Sequence, residues 1–187
     1  MVQDLLNTSA MAAAALPDLL DDERAAQSWI DLSLGAWGKQ AVRTPPTVTV
    51  SGRDLPALRE LRNRLRQWLA GNHDDARELT LEASVSLDGG QLSHTPRGRG
   101  GGAVVSLVLL ETLLASHTGS LARLKTCANP ACGAAFYDLS RNSSRVWHDM
   151  KTCGNTMNLR ASRNRRRASP EPPNPSDPDT GPADPLN

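Results

Sequence analysis

Residues 127–155 read CANPACGAAFYDLSRNSSRVWHDMKTCGN, and they hold all three cysteines of the chain. The pattern is Cys127-x4-Cys132-x15-His148-x4-Cys153. Two close pairs of ligand-type residues separated by a longer excursion are the usual sequence mark of structural zinc. Each pair rides on a tight turn, and the excursion lets the second pair close a tetrahedron over the first. Asn129-Pro130 supplies turn chemistry inside the first pair. Gly133 and Gly154 each follow a ligand directly, where a missing side chain gives backbone amides room beside sulfur. Three thiolates and an imidazole make a borderline-soft set that suits zinc and leaves no open coordination position. The expectation is one structural Zn2+ held by Cys127, Cys132, His148 and Cys153. Asp149 stands beside His148 as a rival fourth ligand. Three unligated thiols, or a Cys127–Cys132 disulfide, are the competing readings.

Charge sharpens the boundary of this module. The 187 residues carry 21 Lys+Arg and 20 Asp+Glu, for a net charge of +1. Residues 121–169 alone hold ten basic residues against Asp138 and Asp149, a local +8. After Cys153 a helix is expected to start at Met157, capped by Asn155 or Thr156. Arg160, Arg163 and Arg167 then share one face, with Arg165 and Arg166 flanking it. Arg141 and Arg145 lie between the ligand pairs and add to the same basic surface. Arginine grips phosphate with two parallel hydrogen bonds and reads guanine edges. These seven arginines are therefore the expected contacts to double-stranded DNA. RNA is disfavoured, since six aromatics in the whole chain offer no stacking platform.

The first 120 residues read as mainly helical. Helix is expected over Ala10–Ala15 and Asp21–Leu34. Asp54 N-caps a third helix, with Pro56 in its first turn. Leu58, Leu61, Leu65, Trp68 and Leu69 form its apolar stripe, and Arg59, Arg62, Arg64 and Arg66 read as a solvated face. Leu79 to Leu87 alternates apolar and polar, Asp88-Gly89-Gly90 turns, and Gln91–Thr95 returns as a second strand. The glycine-rich run 97–102 follows no buried strand and lacks the Gly-Lys-Ser/Thr ending of a P-loop, so it reads as a loop. A helix from Ala103 to His117 completes this part. His73, His94 and His117 have no metal-ligand spacing, and no catalytic residue is assigned. Residues 169–187 contain seven prolines and four acids and read as a disordered tail.

The motifs Cys127-Ala128-Asn129-Pro130-x-Cys132, Phe136-Tyr137-Asp138-x-Ser140-Arg141-Asn142 and Arg145-x-Trp147-x-x-Met150-x-x-Cys153-Gly154-Asn155 resemble the CGNR zinc-finger family of bacteria. Asp4-Leu5-Leu6-Asn7-Thr8 resembles the start of the ABATE domain that precedes this finger. The resemblance implies a stress-related transcriptional regulator. Two positions depart from the family pattern. His148 stands where members often have Cys, and Thr156 replaces the Arg that gives the family its name.

The expected architecture is α+β, mainly α with a small β-hairpin. An ABATE-like helical domain occupies 1–120. A treble-type finger with a basic helix occupies 121–168, followed by the tail 169–187. The expected setting is the cytoplasm, since no membrane segment or signal peptide is present and free thiolates persist there to bind metal. The expected partners are double-stranded DNA and the transcription machinery, with a homodimer following if the DNA site is palindromic. The alternative is a zinc-stabilised protein-interaction module without sequence-specific DNA binding.

Overall fold

A helix as apolar as Gly101–His117 demands cover, and its first three turns find it, while Leu113 and Leu114 stay exposed. A computed structural model describes residues 1–11, 15–41, 44–73 and 78–168. The elements in chain order are α1 (Val2–Leu6), α2 (Glu23–Ala41), α3 (Leu55–Leu69), β1 (Ala83–Asp88), β2 (Gln91–Pro96), α4 (Gly101–His117), β3 (Leu124–Thr126), β4 (Ala135–Tyr137) and α5 (Asn155–Ala168). The fold is α+β: a helical body, two small antiparallel sheets and a C-terminal helix. None of the described helices is long and apolar enough to cross a membrane.

Val104, Leu107 and Val108 of α4 meet Leu58, Leu61 and Leu65 of α3 and Trp29, Ile30, Leu34 and Trp37 of α2 in one core. The stripe on α2 repeats at helical spacing, which is why this helix outlasts the expected end at Leu34. Val48 and Val50 add an extended segment to that core. The Gln27 amide stands in for a strand partner, donating to the Val48 carbonyl (2.9 Å) and accepting the Val50 N–H (2.9 Å). The expected hairpin forms, but β1 begins at Ala83 rather than Leu79 and Asp88 pairs with Gln91, leaving Gly89-Gly90 as the turn; Val85 stands opposite His94 and Leu87 opposite Leu92. Its apolar face is open, and Leu87 is 84% exposed.

Three local expectations are corrected. Ala10–Ala15 is no helix at its described ends. Met11 and Leu16 exchange backbone hydrogen bonds as an isolated antiparallel bridge. Pro17 disfavours helical backbone at Leu16, and the run is too short to nucleate alone; residues 12–14 lie outside the described residues. Asp54 precedes α3 but does not cap it with its side chain. Its carboxylate accepts the Ser51 N–H and the Gly101 N–H (2.9 Å), so it serves the first turn of α4. The glycine-rich run makes room for it: a Cβ on Gly101 would stand 2.7 Å from the Asp54 Cβ.

The third correction concerns the arginine face of α3, which is not solvated. Arg62 is buried and grips both oxygens of Asp18 at 2.7 Å, while also donating to Thr8. Arg66 donates to the Leu6 carbonyl and, at 3.0 Å, to that of Gly133. Arg59 reaches Asp21, and Arg64 pairs with Glu60. The acceptors of Arg62 and Arg66 come from distant parts of the chain, so nothing in the local pattern of α3 reveals them.

Leu121, Leu124 and Ala135 belong to the same core as the helices before them. The metal-ligand segment is therefore seated on the body. Asn7 fastens it, donating to the Ala135 carbonyl (3.0 Å) and accepting the Ala135 N–H (2.8 Å). The stretch 169–187, read as a disordered tail, lies outside the described residues.

Candidate metal centre

The first ligand pair sits on the turn joining β3 to β4. The Cys127 N–H donates to the Ala134 carbonyl (2.8 Å), which closes the hairpin above the strands. The Cys132 and Gly133 N–H groups both donate to the Asn129 carbonyl. Gly133 adopts a φ of +62°, the left-handed conformation that favours glycine. Backbone conformation, more than space beside sulfur, accounts for this glycine. Asn129 is buried and holds the turn from inside. Its Oδ1 accepts the Ala131 N–H, and its Nδ2 donates to the Cys153 Sγ (3.3 Å).

The second pair arrives through the loop 138–148 and the π turn Met150–Gly154. Asp149 starts that turn, with Oδ1 accepting the Thr152 N–H (2.7 Å) and hydroxyl (2.9 Å). Capping thus falls to Asp149 rather than to Asn155 or Thr156. The π turn runs straight into α5, and Thr156 bonds back to the Thr152 carbonyl. Gly154 is required by packing: a Cβ there would collide with the Met150 sulfur and stand 3.0 Å from Trp147 Cδ1.

The ligand atoms of Cys127, Cys132, His148 and Cys153 all lie within 4.8 Å of one another. A tetrahedral zinc site with bonds of about 2.0–2.3 Å has ligand–ligand edges of about 3.5–3.8 Å, so the four atoms can close on one ion. The His148 Nδ1 lies 3.3 Å from the Cys132 sulfur. Asp149, committed to its cap, lies outside this group. The three cysteines are free thiols, so no disulfide competes.

The group opposes ionisation at one position and favours it at another. Burial pushes the Cys132 thiol up to about 11. At Cys153 burial also opposes ionisation, but the hydrogen bond from Asn129 and the neighbouring thiols bring it below its ordinary value. Zinc binding near neutral pH must therefore expel at least the Cys132 proton.

Residues 123–166 match the model of the CGNR zinc finger. No curated protein matches the chain. With the Cys3His group beneath it, the CGNR-type finger is a zinc-binding module with a place for one structural ion.

The structure also shows where the expected DNA contacts stand. Arg160, Arg163, Arg165, Arg166 and Arg167 are exposed along α5, a helix that buries no residue. Arg141 is exposed in the loop 138–148. Arg145 is exposed yet engaged: its guanidinium lies over the Phe136 ring and donates to the His148 carbonyl (2.6 Å). Two supporting residues escaped the sequence reading, and Asn129, read as a turn residue, was missed only as a donor to the Cys153 sulfur. Asp138 is the single acid between residues 121 and 148, which was a usable signal. Lys125, its partner, carried none.

Asp138 is the electrostatic centre of the loop. Its side chain is 0% exposed. Its carboxylate accepts from Lys125 Nζ (2.8 Å), the Ser140 N–H (2.9 Å) and the Arg145 N–H (2.9 Å). Burial alone would raise its pKa. The Lys125, Ser140 and Arg145 hydrogen bonds outweigh that and hold it well below the usual carboxylate range.

Proposed function

We propose that the finger and α5 bind double-stranded DNA, and that the protein is a transcriptional regulator rather than an enzyme. The observation that carries this reading is α5. It leaves the finger with no buried side chain and presents Arg160, Arg163 and Arg167 on one exposed face. A helix that contributes nothing to the core, and is this rich in arginine, is suited to the phosphate-lined major groove. The local charge of +8 over residues 121–169 supports it. The match to the CGNR finger, together with the ABATE-like start at Asp4–Thr8, supports the finer reading of a stress-responsive regulator in the cytoplasm.

Selection of genomic fragments by the zinc-loaded protein at physiological salt tests the proposal. A shared short sequence among the retained fragments is the expected outcome. About five arginine–phosphate contacts would give log affinity against log salt a slope near −4 to −5. No retention, or retention indifferent to salt, overturns the reading.

A second reading has its own observation. The finger exposes Leu139, Val146, Met150 and Leu159, with Leu139 at 80%. Such a surface suits a protein partner, and recovery of transcription machinery without retention of DNA would favour an interaction module.

A further inference from the structure

His148 is the one nitrogen ligand, and it reaches the centre by a different route from the cysteines. Cys127 and Cys132 are placed by the Ala134 and Asn129 carbonyls, and the Cys153 N–H by the Asp149 carbonyl. His148 follows ten residues of loop with no regular structure between β4 and the π turn. What shapes that loop is a carboxylate at its root. Asp138 Oδ1 accepts the Ser140 N–H, and Oδ2 accepts the Arg145 N–H, so the loop folds back across one side chain. Lys125 ties the same knot from β3, donating to Asp138 and to the Ser143 and Arg145 carbonyls. Arg145 then extends a guanidinium N–H to the His148 carbonyl at 2.6 Å. One residue further, the Val146 carbonyl accepts the Ala128 N–H at 2.9 Å, beside the first ligand.

We propose that Asp138 is a positioning residue for the nitrogen ligand: its buried carboxylate sets the course of the loop 138–148 and thereby where His148 meets the metal. It touches no ligand atom and acts through Arg145 and the backbone. A carboxylate suits the place because it accepts from the Ser140 and Arg145 N–H groups, the Ser140 hydroxyl and the cationic Lys125 Nζ. An asparagine would turn one acceptor into a donor against them, leaving a buried clash of like groups.

The test is zinc affinity of the full chain by competition with a chromophoric chelator, paired with the absorption spectrum of the Co2+-loaded protein. Asp138→Asn is expected to weaken zinc binding about 10–100-fold, the range for loss of an outer support of a metal ligand. Its Co2+ bands should move toward those of His148→Ala. In the His148→Ala background the same substitution should cost less than about twofold, because the route it supports is already gone. Full loss in that background would make Asp138 a general scaffold residue and overturn the proposal. Wild-type affinity in Asp138→Asn would overturn it equally. If that variant does not fold, Lys125→Met loosens the same knot from β3, and the same pair of outcomes decides.

Discussion

Arg62 shows how much a single side chain can carry here. It lies in the core at 4% exposure, with both terminal nitrogens committed and its Nε without a partner. Removing one member of such a pair leaves the other's charge stranded. Arg62→Met should destabilise the fold by about 3 kcal/mol, read from chemical denaturation. Asp18 makes the pair sensitive to acid. Burial raises its pKa, but the Arg62 and Leu20 hydrogen bonds prevail and lower it overall. A carboxyl depressed in the folded state stabilises fully above its unfolded pKa of about 4 and loses that contribution as pH falls through the folded value. The stability gap between wild type and Asp18→Asn should therefore be widest near neutrality and close below about pH 4. A gap that widens with acid would contradict this.

The elements differ in how openly the sequence declares them. The zinc ligands were legible because the chemistry demands particular residue types at short spacing. The hairpin β1–β2 was legible because an alternating run ends at a glycine turn, although the alternation extends to Leu79 and β1 starts only at Ala83. β3 and β4 were not, since three residues on either side of a metal loop are too few to show alternation. The π turn was hidden as well. Its cap, Asp149, looked like a rival ligand, and its reason for glycine is a neighbour four residues back. That neighbour gives a test. Gly154→Ala should cost the finger about 1–2 kcal/mol through the crowding of Met150 and Trp147. Adding Met150→Ala should return part of that loss, because Met150 makes the closest contact. Zinc-loaded thermal melts of both variants decide it, and an additive double variant would mean the strain lies in the backbone.

Across the whole molecule, the finger and the helices share one core and two polar fasteners. Asn7 holds both backbone groups of Ala135, and Arg66 holds Gly133. Both sites lie within three residues of Cys132, so metal and body are thermodynamically linked. Asn7→Ala should lower the melting temperature and also weaken zinc binding, by up to about tenfold for two lost hydrogen bonds. Chelation should in turn lower the melting temperature of the α2–α4 region, followed by circular dichroism. Two transitions, only one of them responsive to zinc, would show that the halves are independent. The contribution of Arg66 to this unity was not legible, because its acceptors, Leu6 and Gly133, are far away in the chain.

The Asn7–Ala135 pairing also imposes a timetable. Its members are 128 residues apart, so at ordinary translation speeds α1 emerges on the order of ten seconds before its seat exists. Through that interval Leu5 and Leu6, both fully buried at the end, lack part of their cover. The nascent chain must wait, exposed, for the finger to be synthesised and for its cysteines to find metal. A cell short of zinc would on this account accumulate chains whose beginnings, not only whose ends, are open to chaperones and proteases.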